Sequence, residues 1–292
     1  MLLAVLALAG CRPAPTASPA AAPRYTVGAP YEMGGVWSYP RADTTLVQSG
    51  LATILPDRRA GRRTADGEIH DPAALVAAHR TLQLPSILEV TNLENGRSLL
   101  VRANDRGPAP PGRVIGLSRR AAELLGVRDG TQVRVAVRPA ESQALAAALP
   151  GEENAPPAVA APRGAVATEA LPPPPGARAA ERVREAAPLA RPAAGVTEAA
   201  PVVPDRLPEQ VAQGAPSPGS LYVEAGTFSR RDMAARQAAS LAGAGATVQA
   251  GGPRGREQFR VRIGPLPDPA AADRTLEQVL RSGVSEARIT VE

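Results

Sequence analysis

Lysine is absent from this chain, aromatic residues make up 2% of it, and cysteine occurs once. A single cysteine excludes an internal disulfide framework. With so few aromatics, a packed core must rely on Leu, Val, Ile and Ala. All 33 basic residues are arginine, which together with abundant alanine is typical of a GC-rich coding bias. The net charge of +5 is therefore weak support for a nucleic-acid partner, although it favours an anionic surface such as a cell wall or lipid headgroups.

The N-terminus has the pattern of an export signal. A short apolar run, Met1 to Ala9, ends in small residues and is too short to span a membrane. Leu8-Ala9-Gly10-Cys11 resembles the lipobox of bacterial lipoproteins, in which the signal is cut before a cysteine that then carries lipid. No arginine precedes the run, which departs from the usual basic start of such signals. A chance cysteine in a frayed terminus is the alternative.

Composition divides the chain into four regions. Met1 to Arg24 is a signal and tether, and Tyr25 to Arg138 has the apolar runs and turns of an ordered module. Pro139 to Pro218 lacks Phe, Trp, Tyr, Ile and Met and is rich in Pro and Ala, which predicts a disordered linker. Gly219 to Glu292 is ordered again. A flexible linker of this length has ends roughly 50 Å apart and would connect two independent modules.

The first module is predicted to be mainly β. The strand-like segments are Leu46 to Leu55, Ile87 to Leu93, Arg97 to Ala103 and Thr131 to Arg138. Asn95-Gly96 predicts a two-residue hairpin turn between the second and third of them. One helix is expected at Arg119 to Leu125, capped by Ser118 and ended by Gly126. Many short strands with little helix indicate a small closed barrel.

The last module has the element order βαββαβ, with two helices on one face of a four-stranded sheet. A strand at Leu221 to Phe228 is followed by a helix capped by Ser229, and a strand follows at Thr247 to Ala250. Phe259, Val261 and Ile263 alternate inward along the third strand. The remaining elements are a second helix that starts at Asp268-Pro269 and a final strand at Ala287 to Val291.

Three polar side chains in the first module are candidates for catalysis. Glu68 follows a glycine turn, His79 is one of two histidines, and Asp105 ends a strand beside Arg106. If they converge at one cleft, they supply a carboxylic acid that protonates a glycosidic oxygen and partners that orient it. An ordinary turn with a local ion pair is the alternative for Asp105 and Arg106.

Five segments of this module, taken together, resemble the rare lipoprotein A family. They are Gly61 to Glu68, Ala77 to Leu82, Val90 to Leu93, Asn104 to Pro108 and Leu117 to Ala122. The resemblance implies a septal-ring lytic transglycosylase with a double-psi β-barrel. Such an enzyme cleaves the β-1,4 bond between N-acetylmuramic acid and N-acetylglucosamine and closes a 1,6-anhydro ring without water. It also implies that Asp105 is the general acid and base and that Glu68 and His79 occupy the other functional positions.

The chain departs from the family pattern near these positions. Thr53-Ile54-Leu55 stands where the family usually has a Trp-Tyr pair, Gly116 replaces an aspartate, His70 replaces an aromatic residue, and Ala109 replaces a phenylalanine. A catalytically weakened protein that binds glycan in a structural role is therefore the second hypothesis.

The last module resembles the SPOR (sporulation-related) domain. The resemblance is carried by Tyr222 to Phe228 and by Phe259 to Leu266. It implies binding to peptidoglycan glycan strands without stem peptides, which accumulate at the division septum. By strand parity the side chains expected on the open face are Tyr222, Glu224, Gln258, Arg260 and Arg262. Glu224 stands where the family usually has glutamine. The βαββαβ order also matches RNA-recognition folds, but only Tyr222 would offer an outward aromatic ring, so no nucleic acid is expected.

The resemblances also predict location and partners. Lipid on Cys11, followed by Arg12 instead of aspartate, implies an outer-membrane anchor facing the periplasm, with enrichment at the septum. The expected partners are peptide-free glycan, the membrane and cell-division proteins. No cofactor and no metal are expected, although Glu68, His70 and His79 are the one alternative metal set that the sequence offers.

Overall fold

The computed structural model describes residues 20–151, 206–251 and 257–292, and Cys11 lies outside these ranges. The structure contains two β-rich modules. The elements of the first are β1 (Tyr31–Met33), β2 (Val36–Ser38), β3 (Val47–Ile54), β4 (Val76–Ala78), β5 (Ser86–Asn92), β6 (Arg97–Asp105), β7 (Arg113–Leu117), α1 (Arg119–Leu125), β8 (Gln132–Val137) and α2 (Pro139–Ala148). Among the helices of the described ranges, none has the length and apolar character that crossing a bilayer requires.

Six strands of the first module close into a barrel. Their order is β4-β7-β3-β8-β5-β6, and β4 pairs with β6 to complete the ring. The pairs β3–β7 and β4–β6 are parallel, and the others are antiparallel. Side chains alternate between the interior and the outside of the barrel. Val133 and Val135 of β8 are fully buried, whereas Arg134 between them is exposed. The fold-class prediction of a β-barrel is confirmed.

The four predicted strands of this module and its helix are present at nearly the predicted bounds. Ser118 Oγ accepts a hydrogen bond from the Ala121 amide at 3.2 Å, and Gly126 ends α1 in the left-handed region at φ 67°. The predicted two-residue turn is wrong, because β5 ends at Asn92 and β6 begins at Arg97. The Asn92 side chain accepts from the Glu94 amide at 2.9 Å, which favours the longer loop.

The segment predicted as linker begins with a helix that packs on the barrel. α2 starts at Pro139, a residue suited to the first helical turn. Leu145 and Ser142 are buried, and Ser142 Oγ accepts from the Ile87 amide at 3.0 Å. Short alanine-rich sequence has high helix propensity, so packing of one leucine and one serine suffices to order it. The boundary between module and linker that the sequence predicted at Arg138 therefore falls at the start of a helix that packs on the barrel.

The described part of the linker's other end, residues 206–218, lies along the barrel. Its short strand β9 (Ala212–Gln213) pairs with Arg97 and Ser98 of β6. Arg206 forms an ion pair with Asp71 at 2.8 Å, and Glu209 pairs with Arg120 of α1. Leu207 packs against the barrel core. We call residues 206–218 the strap. Residues 152–205 lie outside the described ranges.

The second module has the predicted βαββαβ order. Its elements are β10 (Leu221–Phe228), α3 (Arg231–Ser240), β11 (Thr247–Gly251), β12 (Gln258–Leu266), α4 (Pro269–Arg281) and β13 (Arg288–Val291). The sheet order is β11-β12-β10-β13, with all pairs antiparallel. Asp268 caps α4 by accepting from the Ala271 amide at 2.7 Å. The Ser229 cap is wrong: Arg230 precedes α3, and no side chain caps that helix.

The two modules contact each other through a charged cluster. Arg113 of β7 is buried, and its guanidinium forms an ion pair with Asp273 of α4 at 2.6 Å. The same guanidinium lies 3.2 Å from Asp129 of the barrel. An arginine fork that satisfies two carboxylates at once is a directional contact, so it fixes the orientation as well as the proximity of the modules.

Apolar packing supports this contact. Leu51 of β3 is fully buried and belongs to the hydrophobic cluster of the second module. A Cβ atom on Gly112 would lie 2.7 Å from Leu276 and 2.8 Å from Ile289, so only glycine permits this approach. The modules are therefore docked through a glycine-lined surface, and the connection predicted to separate them ends in contacts with the barrel.

Asp273→Ala should loosen this docking, because it removes one of the two carboxylates from a buried guanidinium. Charged hydrogen bonds of this kind contribute about 1.5–3 kcal/mol, less where a partner is exposed, as Asp273 partly is. We expect amide hydrogen exchange in β13 and in the middle of β3 to accelerate by about tenfold. Glu277→Ala, an exposed change on the same helix, is the matched control. Equal exchange in the two variants would contradict the docking.

Candidate active site and glycan-binding face

Asp105 lies at the last position of β6, and its carboxyl group is held by three donors. Its side chain is 5% exposed. Oδ1 accepts from the Ala65 amide at 3.1 Å and from the Arg106 amide at 2.8 Å. Oδ2 lies 2.5 Å from the Arg59 guanidinium, in an ion pair. Two backbone donors fix the direction of the carboxyl group, and Oδ2, which is buried, has the Arg59 guanidinium as its partner.

Glu68 is held on the other side of the same strand end. Its Oε2 accepts from Asn104 Nδ2 at 2.7 Å, and its Oε1 lies 3.2 Å from Arg102 Nε. Successive side chains of a strand point to opposite faces, so the partners of Glu68 and the carboxyl group of Asp105 lie on opposite faces of β6. The loop from Thr64 to Glu68 contacts both faces. The two predicted carboxylates are therefore neighbours, but they do not face each other across one cleft.

The backbone of His79 contacts Asp105, but the imidazole ring of His79 does not. The His79 amide donates to the Asp105 carbonyl at 3.0 Å. Its Nδ1 accepts from the Thr81 and Leu82 amides at 3.2 and 3.1 Å. Nε2 therefore carries the hydrogen and donates it to the Gln48 amide 2.7 Å away, which requires the amide oxygen to face the ring. Burial, followed by the charges of Arg106 and Arg80, lowers the pKa of His79 to about 3. His79 is a neutral side chain that holds a turn.

Asp66, a functional candidate that was not predicted, is fully buried in the same loop as Glu68. Its Oδ1 accepts from the Thr64 hydroxyl at 2.7 Å and from the Glu68 amide at 3.0 Å. Burial first, and then the charge of Glu68, raises the pKa of Asp66 to about 7. Bonds from an aspartate to the amide two residues later form a recognisable turn, and that signal was present in the sequence.

His70, which the sequence offered only as an alternative metal ligand, lies close enough to Asp105 and Arg59 for their charges to affect its pKa. It is buried, and among the described residues neither ring nitrogen has a hydrogen-bond partner. Burial lowers the pKa of His70, the Arg59 charge lowers it further, and the Asp105 charge opposes both. His70 is therefore the histidine whose pKa is affected by the charges of Asp105 and Arg59. Its position could have been suspected because it replaces an aromatic residue of the family pattern.

The predicted loss of a carboxylate at Gly116 is explained by Leu55. Gly116 of β7 and Asp105 of β6 both pair with Ala78 of β4, so the two positions lie on adjacent strands at one rim. A Cβ atom on Gly116 would lie 2.6 Å from Leu55 Cδ2 and 3.3 Å from Pro108. Leu55 is buried against this rim. An apolar side chain occupies the space that a side chain at position 116 would need.

The β1–β2 hairpin packs beside the loop that follows Asp105. Arg80 joins them by donating to the Met33 carbonyl at 3.2 Å and to the Ala109 carbonyl at 3.0 Å. Trp37 of this hairpin is 51% exposed. Aromatic faces are common platforms for apolar surfaces of ligands, and this ring was not singled out from the sequence.

A cleft of about 450 Å³ adjoins Glu68. Its wall includes Arg102 and Val76 from the barrel and Arg206, Leu207 and Glu209 from the strap. The strap therefore contributes to the surroundings of a predicted site residue. Within the described ranges, no three His, Cys, Asp or Glu side chains cluster closely enough to hold a metal ion.

The open sheet face of the second module is a network of ion pairs. Tyr222 stacks on the Arg262 guanidinium, 4.2 Å from the ring centre. Arg262 is buried, with Gln249 Oε1 at 2.6 Å and Glu292 at 2.8 Å. Arg260 remains half-exposed and contacts Glu292 at 3.4 Å. Gln258, at the start of β12, is partly exposed. Tyr222, Gln258 and Arg260 are therefore the predicted residues of this face that solvent reaches.

Glu224, which was expected on the open face, lies there but is covered by its partners. Glu224 is 6% exposed. Its Oε1 accepts from the Thr227 hydroxyl at 3.0 Å and pairs with Arg288 at 2.7 Å. The Arg288 guanidinium balances the charge of this carboxylate, and the Thr227 hydroxyl adds a hydrogen bond.

The barrel and the βαββαβ module match known families. The family described as Lytic transglycolase matches residues 47–137, and the SPOR domain family matches residues 217–290. The crystal structure of the RlpA SPOR domain from Pseudomonas aeruginosa is 23% identical, covers 25% of this chain and 99% of that one, and superposes with a TM-score of 0.23.

Three curated relatives are each named endolytic peptidoglycan transglycosylase RlpA. The protein from Pseudomonas aeruginosa PAO1 is 34% identical over 255 residues, which are 86% of this chain and 72% of that protein. The protein from Yersinia pestis is 53% identical over 88 residues, which are 30% of this chain and 24% of that protein. The Escherichia coli K12 protein is 50% identical over 88 residues, 30% of this chain and 24% of its own.

Fold and site together define a double-psi β-barrel of the lytic transglycosylase class joined to a SPOR domain. The chain belongs to the RlpA family, as its similarity to the Pseudomonas relative over most of both chains shows. The family resemblance of the sequence is thereby confirmed.

The neutral state of His79 predicts a pH dependence of stability. The pKa of His79 is about 3 in the folded chain and about 6.5 in the unfolded chain, so between these values only the unfolded chain binds the proton. Stability from neutral His79 is full above pH 6.5 and is lost as the pH falls. His79→Asn keeps an acceptor for the turn but does not titrate. In urea unfolding at a series of pH values, the stability advantage of wild type should shrink by roughly 1.4 kcal/mol per pH unit below 6.5. A constant advantage would show that folding does not lower the pKa of His79.

Proposed function

We propose that this protein is an endolytic peptidoglycan lytic transglycosylase. It cleaves the β-1,4 bond between N-acetylmuramic acid and N-acetylglucosamine in peptide-free glycan and leaves 1,6-anhydro ends. The observation that carries this proposal is the carboxyl group of Asp105 at the end of β6 in a barrel of the lytic transglycosylase family, with Oδ1 held by two backbone amides and Oδ2 paired with Arg59.

One carboxyl group can carry the whole proton cycle. Protonated Asp105 donates its Oδ2 proton to the bridging oxygen as the bond from that oxygen to C1 of the muramic acid breaks. The resulting carboxylate then accepts the proton of the 6-hydroxyl group as that oxygen bonds to C1. The proton is returned, no water is consumed, and no oxidant or reductant is needed.

Glu68 and His79 support this cycle in different ways. Glu68 lies on the other face of β6, where its contacts with Arg102 and Asn104 order the loop that carries Ala65, whose amide holds Asp105. His79 is a positioning residue: its backbone amide binds the Asp105 carbonyl while its ring holds the following turn. Exposed Trp37 offers an aromatic surface near the site.

A glycan-binding protein with weakened or no catalysis is the second candidate. It is favoured by Leu55, whose Cδ2 would lie 2.6 Å from a Cβ atom at position 116, so a second carboxylate beside Asp105 would require Leu55 to move. In that role both modules hold glycan and recruit division proteins. Product formation distinguishes the two candidates, because binding is expected of both.

Digestion of purified peptide-free glycan tests the enzyme. Wild type should release anhydro-ended fragments, and Asp105→Asn should lose at least a hundredfold in rate because an amide neither donates nor accepts this proton. Glu123→Gln removes an exposed carboxylate from α1 of the same module and should leave the rate unchanged. Binding without anhydro products from wild type would support the glycan-binding candidate, and a gain of activity in Gly116→Asp would show what that protein had lost.

The SPOR domain supplies affinity for glycan and, we propose, directs the enzyme to the septum. Arg260 is a half-exposed charged residue of the open face, which also carries the more exposed Arg288, and it can bond sugar hydroxyl or carboxylate groups. Arg260→Ala should weaken binding to peptide-free glycan about tenfold in a sedimentation assay and reduce septal fluorescence of a fusion protein. Arg236→Ala removes an exposed arginine from α3, on the opposite face, and is the matched control. Equal loss in both variants would mean that net charge alone drives binding.

Lipid on Cys11, which lies outside the described residues, would anchor the protein to the outer membrane and place it in the periplasm. The proposal rests on Leu8-Ala9-Gly10-Cys11 and on Arg12. Unaltered membrane fractionation of Cys11→Ala would argue against it.

A further inference from the structure

We propose that Arg59 is the residue that selects glycan without stem peptides. In the free protein its guanidinium pairs with Asp105, and in the complex it pairs instead with the lactyl carboxylate of N-acetylmuramic acid. The exchange removes the cation from Asp105 Oδ2, so that this oxygen can take up a proton from water and donate it to the bridging oxygen. This inference rests on the proposed transglycosylase function and adds to it the chemical group that the site recognises.

The free site is occupied by its own counter-ion. Asp105 Oδ1 already accepts two backbone amides, so the proton for the glycosidic oxygen must be carried by Oδ2. The Arg59 guanidinium lies 2.5 Å from that oxygen. A guanidinium and a transferable proton compete for the same position. Catalysis by Asp105 therefore requires that Arg59 be given another partner.

Arg59 is placed to make this exchange. It ends the 3-10 turn Asp57–Arg59, and its side chain is 31% exposed, whereas that of Asp105 is 5% exposed. Among the described residues, Asp105 is the only ion-pair or hydrogen-bond partner of its guanidinium. The turn itself is held by an ion pair between Asp57 and Arg119 of α1. The side chain can therefore swing while its backbone stays in place.

Other arginines near the site are committed to the fold. The Arg106 guanidinium donates to the Leu82 and Val27 carbonyls, and Arg80 donates to Met33, Ser38 and Ala109. Arg102 is the partner of Glu68. Arg59 is thus the guanidinium near Asp105 that must change partner. Its present partner is the carboxylate that has to donate the proton.

The substrate offers a matching anion only when its peptides are absent. In a peptide-bearing strand the lactyl group forms an amide, which is neutral. In a peptide-free strand it is a carboxylate, which binds guanidinium through two parallel hydrogen bonds and replaces one ion pair with another of the same kind. The site selects the peptide-free strand because only its carboxylate gives Arg59 a new ion pair in place of the one with Asp105.

The experiment compares peptide-free glycan with the same glycan after its lactyl carboxylates have been converted to methylamides. Wild type should cleave the native glycan with a kcat/KM at least tenfold above that for the amidated one. Arg59→Gln should cleave the two equally, and Arg59→Lys should retain part of the preference. Arg58→Gln, a change at the exposed arginine next to Arg59 in the same turn, should keep the full preference.

The outcomes separate this inference from the function on which it rests. Arg59→Gln should cleave amidated glycan at least as fast as wild type, which also shows that the variant is folded. Equal cleavage of both substrates by wild type, or an undiminished preference in Arg59→Gln, overturns the inference and leaves the transglycosylase intact. Cleavage of neither substrate by wild type removes both.

Discussion

The pairing of β4 with two strands at once is the constraint on which the site depends. This strand has three residues, all buried, and Ala78 at its end pairs with Asp105 on one side and with Gly116 on the other. It closes the barrel and sets the rim at which a carboxyl group meets backbone donors. Small side chains are required there, because the loop from Thr64 to Glu68 must approach closely enough for the Ala65 amide to reach Asp105. The chemistry of the rim thus follows from the closure of the sheet.

Local pattern was sufficient for elements that make their own signals. Alternating valines predicted β8, and Ser118 with Gly126 predicted both ends of α1, because each signal lies within a few residues of what it specifies. β4 and β7 were missed, since Val76-Ala77-Ala78 and Arg113 to Leu117 have no alternation to read when both sides are buried. The candidate site divides in the same way. The motif resemblance indicated Asp105 and Glu68. It did not indicate that the ring of His79 contacts Gln48, or that Arg59 pairs with Asp105, which is 46 positions away in the sequence.

Docking of the two modules could not be predicted for a related reason. Arg113 and Asp273 are 160 positions apart, and each alone is an ordinary surface charge. The composition of the linker was correctly recognised as poor in residues that form a core, yet its ends at α2 and the strap bind the barrel with one or two apolar side chains and a few ion pairs. A polar, proline-rich segment can be ordered when a folded module supplies the core that it lacks. In the described residues, the two modules that the sequence predicted to be joined only by a flexible linker contact each other directly.

The replacement of a rim carboxylate by glycine has a consequence for how protons move. Two carboxylates so close together would repel each other, and one of them would hold a proton at neutral pH. With Gly116 and Leu55 at that position, Asp105 has no such neighbour on β7, and the opposing charge comes from Arg59 instead. Asp66 is the carboxyl group that burial and Glu68 keep partly protonated, but it contacts Thr64 and the Glu68 amide behind the loop. In the proposed mechanism the charge that acts on Asp105 is therefore that of a cation, Arg59, and a substrate that carries its own negative charge can draw this cation away.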